Sequence, residues 1–509
     1  MILYAAISLL LGAFVFRWIS HNAKRICTVN GRRCEDPPMR PEPWYTFGLR
    51  GQLATVKASK AQRLPLRMVQ MCDALGETWA YSLFGTRTII TRDQRNIQAV
   101  LATQFDDFGL ATDRDAMHAL LGTEAIFTQN GPAWSKSRAL LRPSFDRAAV
   151  ADLDRLEIFF TRMKQRIEET IPADRCMDMQ TMYQKLTMDA SSDFLLGNAV
   201  GALEEEGKDD GSGLAVQTFT GAFDVAQSVI AIRWALSNLY WVYNPRFFRD
   251  ACSIVHTQVQ RYVKRAIQLR TAGTPQDGKK KRYVFMEVLS ESSQDPRVLQ
   301  DQVLSVMLAG RDTTASLLSW TTLCLARHPE AQKKLRQAIR ETIGDRIPTQ
   351  AELRSITYLR WVLHEVLRLY PPLHANTRCA TKYTTLPYGG GADGSSPIAL
   401  APGEKVIYSL FALHRRKDLY GDDADSFRPE RWGEERVRKI GWGWLPFNGG
   451  PRICLGQQMA LTHASYFVAR MLQTFAVLEE DPKVVGQPVT FDAKITMYSG
   501  NGVGVRLVL

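Results

Sequence analysis

One segment constrains this chain more than any other: Phe447-Asn448-Gly449-Gly450-Pro451-Arg452-Ile453-Cys454-Leu455-Gly456. A single cysteine stands in a glycine-rich turn, with an arginine two residues before it and an apolar run after it. Glycine at 450 and 456 lets the backbone and a bound group approach without a side-chain clash. A guanidinium grips carboxylates through charge-assisted hydrogen bonds, so Arg452 suits a ligand with acidic arms. Residues 455–475 have a helical pattern, which sets a positive helix end beside the cysteine and favours its thiolate. Each part has a use if Cys454 is the axial thiolate of a haem iron, with Arg452 on a propionate and Phe447 shielding the sulfur from water. A thiolate pushes electron density onto the iron and favours O–O cleavage. The competing reading is a buried, inert cysteine in a turn, a common state of free cysteines.

Length alone suggests two or three domains for 509 residues, but no internal linker splits the chain. A hydrophobic content of 45% supports a large core. The net charge of +12 favours acidic partners or anionic headgroups, and no nucleic-acid motif accompanies it. Lys279-Lys280-Lys281-Arg282 reads as a solvated loop. The eight cysteines are scattered, without CxxC or zinc spacing, which suits reduced thiols in the cytosol.

Residues 1–16 are apolar and are followed by Arg17-Trp18-Ile19. As a helix to Ile19 this run is about 28 Å long, against a bilayer core of about 30 Å. A cleaved signal peptide is the alternative, but the basic region before the apolar run and the small-residue cleavage site are missing. Positive charges follow instead, at Arg17, Lys24, Arg25, Arg32 and Arg33, which places the bulk of the chain in the cytosol. The expected organisation is a membrane anchor over 1–20, a basic, proline-rich linker over 21–44 and one domain over 45–509.

Within that domain, residues 78–91 read as a hairpin and helical patterns dominate from about 92 to 380. Residues 204–213 and 274–282 read as surface loops. A long helix is expected from about Asp295 to His328, ended by Pro329. Short strands are expected over 378–410, around the glycine-rich turn 389–394. The fold class is α+β, mostly α, with a large helical region and a small β-rich region.

Ala309-Gly310-Arg311-Asp312-Thr313-Thr314 falls midway along the long helix. Thr313 can bond the carbonyl one turn back and open a local bulge. Asp312 and Thr313 then form a candidate proton relay; a plain polar patch is the alternative. Glu365 and Arg368, three apart on a helix, share a face and by themselves read as an exposed pair. His364, His374, His414 and His463 lack metal spacing and read as core or surface histidines.

The cysteine segment resembles the haem loop of the cytochrome P450 family, F-x-x-G-x-R-x-C-x-G, at every fixed position. The resemblance covers nearly the whole chain and implies the fold of that family, with haem b held by Cys454. Trp134 and Arg138 resemble the family's W-x-x-x-R helix, implying contact with one propionate; Arg378 resembles the strand arginine implied for the other. Phe447, Arg452 and Gly456 complete the implied haem set, and Asp312 and Thr313 the implied catalytic pair. Phe427-Arg428-Pro429-Glu430-Arg431-Trp432 resembles a further family segment, with Trp432 where phenylalanine is commoner, and implies a buried triad of Glu365, Arg368 and Arg431.

Three stretches, over 120–128, 137–145 and 385–394, are similar to the fungal membrane-bound alkane and fatty-acid hydroxylases. The resemblance implies hydroxylation of a lipophilic chain, with O2 and electrons from an NADPH-cytochrome reductase, alone or with cytochrome b5, at the endoplasmic reticulum. The alternatives are the same chemistry on a polyketide or terpenoid, a haem-thiolate isomerase or dehydratase, and a non-catalytic haem-binding protein. Relatives of the isomerase kind tend to lack the acid–threonine pair that stands here at Asp312-Thr313.

Overall fold

The computed structural model describes residues 28–29, 31–145, 152–204, 218–271 and 283–508. The expected anchor over 1–20 lies outside them, as do nearly all of the loop at 204–213 and the loop at 274–282. Among the described residues no helix is long and apolar enough to cross a membrane. The fold is mostly helical with a small β region. The chain divides into two compact units, each assembled from several segments. The first takes in residues up to 111 with 373–426 and 435–454; the second takes in 112–372, 427–434 and 455–509.

The first unit is built on a five-stranded mixed sheet, in the order Thr78–Leu83, Thr86–Thr91, Lys405–Ser409, Ala375–Ala380, Phe108–Gly109. The first two strands are the expected hairpin, in register from Thr78 opposite Thr91 to Leu83 opposite Thr86. Its two-residue turn needs left-handed backbone, which Phe84 (φ 47°) and Gly85 (φ 75°) supply. Lys405–Ser409 runs parallel to Thr86–Thr91 and antiparallel to Ala375–Ala380. Five of the six residues of Thr86–Thr91 are buried, as expected of a strand covered on both faces. A second antiparallel hairpin joins Thr384–Gly390 to Ser396–Leu400 across the expected glycine-rich turn.

The second unit is organised around the helix Pro296–Arg327. The Asp295 carboxylate caps it by accepting from the Arg297 N–H at 2.9 Å, and Pro296 fills the first turn, where no N–H is needed. The next helix starts at Pro329, so the expected stop is where the chain turns. Helix Met179–Leu196 lies antiparallel against it: Tyr183 bonds Thr322 at 2.8 Å, while a Cβ on Gly310 would meet Ser191 at 3.4 Å. The hairpin of Phe491–Ala493 and Met497–Ser499 docks on the same helix. There the Met497 carbonyl accepts from Ser316 at 2.7 Å and from Trp320 at 3.1 Å. Trp320 also stacks on Tyr370 with centroids 4.2 Å apart.

Glu365, on helix Thr357–Leu369, accepts five hydrogen bonds. Its Oε1 accepts from Arg368 Nη2 at 2.8 Å, Arg431 Nε at 2.8 Å and the Arg428 N–H at 2.9 Å. Its Oε2 accepts from Arg368 Nε at 2.9 Å and from the Trp432 indole at 3.1 Å. Glu365, Arg368 and Arg431 are all 0% exposed, so this is a buried charge cluster, unlike the exposed pair that the helix spacing by itself suggests. A buried charge is tolerable only with its hydrogen bonds filled, and the indole fills a position that phenylalanine leaves empty.

Trp432→Phe should therefore destabilise the protein by about 1.5–3 kcal/mol, the usual worth of a hydrogen bond to a charged group. Urea unfolding checks this; an unchanged midpoint would show that the indole bond contributes nothing.

Candidate functional site

In the first unit, Cys454 is exposed while the backbone that presents it is held on several sides. The Cys454 N–H donates to the Phe447 carbonyl at 3.0 Å, and the Ile453 N–H to the Gly450 carbonyl at 3.0 Å. Asn448 (φ 65°) and Gly450 (φ 67°) take left-handed backbone within the turn. The Asn448 side chain accepts from the Tyr408 hydroxyl at 3.1 Å. A Cβ on Gly450 would lie 1.8 Å from the Leu101 carbonyl, so this glycine is required by protein packing, whatever group binds nearby. Leu101 belongs to the π-helical turn Ala99–Thr103, a form often found at functional sites.

Upstream, the Leu445 N–H donates to His414 Nε2 at 2.9 Å and the Tyr420 hydroxyl to the Gly443 carbonyl at 2.9 Å. His414 is thus a core histidine that fixes the approach to the turn. Arg452 closes the short turn Gly450–Arg452. Arg378 is buried on the strand Ala375–Ala380, opposite Val406, with its guanidinium 5.9 Å from the Tyr408 ring centroid.

In the second unit, Trp134 and Arg138 share one face of helix Gly131–Leu141, the guanidinium 5.8 Å from the indole. Gly456 is the N-cap of helix Gln457–Thr474, with φ −83°, a conformation open to any residue. The Thr313 hydroxyl donates to the Ala309 carbonyl at 2.5 Å, as expected. Helix Pro296–Arg327 nevertheless stays α-helical through these residues. The threonine adds a bond to a carbonyl without changing the helix type, so the expected local bulge is not seen.

Asp312 is buried: the Tyr498 hydroxyl donates to its backbone carbonyl at 2.9 Å and lies 3.3 Å from its Oδ1, which is 3.6 Å from Arg311, and its Oδ2 accepts no well-formed hydrogen bond. Burial pushes the Asp312 carboxyl up, against the opposing pull of Arg311. Arg311 in turn bonds Asp224 on helix Phe219–Ala235. Asp312 and Thr313 are therefore neighbours in sequence whose side chains are held by different partners.

The same long helix clamps the segment over 122–129. Asp301 Oδ2 accepts from the Glu124 N–H at 3.0 Å, and Gln302 bonds the Ile126 N–H at 3.3 Å, the Glu124 carbonyl at 2.5 Å and the Ser137 hydroxyl at 2.8 Å. Ser137 continues to Gln129 at 2.6 Å. Gly122 (φ 83°) permits the contact, since a Cβ there would fall 1.9 Å from Asp301. The sequence holds no signal for this clamp: 177 residues separate Asp301 from Glu124. Within the first unit the exposed Cys454 sulfur suits a haem iron, and Arg378 and Arg452 carry guanidinium groups of the kind that bind propionates.

A sequence profile described as Cytochrome P450 matches residues 37–496. The chain is 41% identical to cytochrome P450 52A13 of Debaryomyces hansenii, over 91% of this chain and 90% of that protein. It is 42% identical to cytochrome P450 52A5 of Candida maltosa, over 84% and 82% respectively. Against cytochrome P450 monooxygenase g430 of a Fusarium species it is 38% identical, over 93% and 84%. The chain belongs to the cytochrome P450 family, monooxygenases that bind haem b through a cysteine thiolate.

The clamp generates a pH dependence. Burial raises the Asp301 carboxyl to about 6, with the Glu124 N–H opposing. Because its unfolded value is about 3.9, the native state binds more protons between about pH 4 and pH 6. This group's contribution is therefore full below about pH 4 and falls as pH rises through about 6. Asp301→Asn keeps an acceptor for Glu124 and cannot titrate. Unfolding free energies measured across that window should fall more steeply for the wild type than for the variant; parallel curves would show that Asp301 is not held near pH 6.

Proposed function

We propose that this member of the cytochrome P450 family hydroxylates a long aliphatic chain near its end, using O2 and electrons from an NADPH-dependent reductase. The carrying observation is the exposed Cys454 on a turn whose backbone is fixed by Phe447, Asn448 and Gly450. Cys454 would supply the thiolate that holds the haem iron, with Phe447 and Gly456 flanking it in sequence. By resemblance to the family, Arg452, Arg378, Trp134 and Arg138 are the residues that would serve the propionates. The resemblance of three stretches to fungal alkane and fatty-acid hydroxylases, together with relatives named cytochrome P450 52A, supports the aliphatic substrate. We place residues 1–20 in the endoplasmic reticulum membrane, into which such substrates partition, with the catalytic domain in the cytosol.

Thiolate-bound haem supplies the oxidising chemistry when bound. The remaining steps belong to the chain. Arginines neutralise the carboxylates that would otherwise be buried as bare charge. The Thr313 hydroxyl gives its hydrogen to the Ala309 carbonyl, so its oxygen lone pairs remain to accept a hydrogen bond and orient a proton-carrying group beside it. Asp312 is the proton source in this reading: burial favours its neutral acid, and Arg311 lies 3.6 Å from its Oδ1.

One incubation tests substrate and relay together: holoenzyme, reductase and NADPH with a graded series of fatty acids and alkanes. Each methylene entering an apolar channel gains about 0.8 kcal/mol, so the dissociation constant should fall roughly fourfold per added carbon until the channel is full. With Thr313→Ala, NADPH consumption should persist while product drops roughly tenfold or more and hydrogen peroxide rises. A flat response to chain length, with tight binding of a compact polycyclic compound, would contradict the aliphatic reading. Unchanged coupling in the variant would remove Thr313 from the relay.

A further inference from the structure

A cavity of about 510 Å³ in the second unit contains Arg233, Asn244, Phe248, Cys252, His256 and Gln260 in its wall. None of its lining residues is acidic, and Arg249 adds a second guanidinium. Arg233, near the end of helix Phe219–Ala235, is only 6% exposed. Its Nε and Nη1 are buried without a hydrogen-bond partner, and among the described residues no carboxylate pairs with it. Its guanidinium is flanked by the rings of Tyr240, 5.2 Å away, and Phe248, 5.1 Å away.

This is an unusual state for arginine. Arginine does not give up its proton in proteins, so burial without an anion leaves an uncompensated charge, and ring faces offset only part of the cost. Every other deeply buried arginine described above has a named acceptor: Glu365 for Arg368 and Arg431, Asp224 for Arg311, and a carbonyl for Arg378. Arg233 has aromatic walls, a cavity and no counter-charge.

We propose that the Arg233 cavity is a carboxylate subsite, which holds the acidic end of an amphiphilic aliphatic substrate. The proposal rests on the aliphatic-hydroxylase reading and narrows it from alkanes to fatty acids. Along helix Phe219–Ala235, nine residues separate Arg233 from Asp224, whose partner Arg311 precedes Asp312 and Thr313. At 1.5 Å per residue that is about 13.5 Å, a span for an extended acyl chain. Guanidinium and carboxylate match in planar, bidentate geometry, and the apolar surroundings strengthen the pair. Holding the acid at Arg233 therefore directs oxidation to the far end of the chain.

The test uses full-length holoenzyme and three probes of equal chain length: dodecanoic acid, its methyl ester and the alkane. Equilibrium dialysis and spectral titration give the dissociation constants. In Arg233→Leu, the acid should bind at least roughly tenfold more weakly, with the ester and alkane unchanged; Arg233→Lys should recover part of the loss. The thermal midpoint of Arg233→Leu without ligand should hold or rise, because an unpaired buried charge has been removed.

Equal weakening of all three probes, with a lowered midpoint, would make Arg233 a structural residue and overturn the subsite. An unchanged acid affinity would overturn it while leaving aliphatic hydroxylation standing. Arg233-dependent binding of the acid without hydroxylated product would do the reverse. A vesicle arm separates the other source of such an anion. If Arg233→Leu loses binding to phosphatidylserine vesicles but keeps its affinity for dodecanoic acid, the cavity takes lipid headgroups and the substrate assignment fails.

Discussion

The buried carboxylate of Glu365 is the constraint on which much of the second unit depends. Five donors converge on its two oxygens, three from side chains or backbone of the segment 428–432 and two from Arg368 on its own helix. Hydrophobic packing can slide by a fraction of a residue at little cost, but a buried ion cluster cannot. Removing one partner from such a cluster typically costs about 3–5 kcal/mol, because it strands a charge in a poor solvent. The segment 427–434 is therefore fixed in register against helix Thr357–Leu369, immediately before the chain re-enters the first unit and runs on to Cys454.

Polar atoms are arranged differently around Asp312. Arg311 joins Asp224 on one helix to Asp312 on another, and Tyr498 comes from the C-terminal hairpin. Three elements of the second unit meet on adjacent residues of the long helix, beside the glycine at 310. Packing does not demand that glycine, since a Cβ there would make ordinary contact with Ser191 at 3.4 Å. A helix interior normally disfavours glycine by about 1 kcal/mol relative to alanine. The retained cost, a threonine tethered to Ala309 and a buried acid pushed toward its neutral form all favour a role for this turn in handling protons.

The sequence reading succeeds where the physics is local. The hairpin over 78–91, the long helix with its Asp295 cap and Pro329 stop, and the shared face of Trp134 and Arg138 all follow from short-range rules. The buried triad needed a family resemblance, because an i, i+3 pair ordinarily stays in water. Trp432 was legible only as a departure from pattern, and its indole bond explains the departure. What stayed hidden depends on contacts between distant residues. No spacing rule links Asp301 to Glu124, Leu445 to His414, or the Leu101 carbonyl to Gly450. The buried state of Arg233 was equally unreadable, since an arginine near a helix end ordinarily stabilises the dipole from water.

In the proposed reading Cys454 provides the thiolate for haem. The most direct test is the absorption spectrum of the reduced holoenzyme under carbon monoxide, for the wild type and for Cys454→Ala. The wild type should give the red-shifted Soret band expected of thiolate-bound haem, and the variant should lose it. A variant that keeps the band would contradict the account, because another residue would then be the ligand.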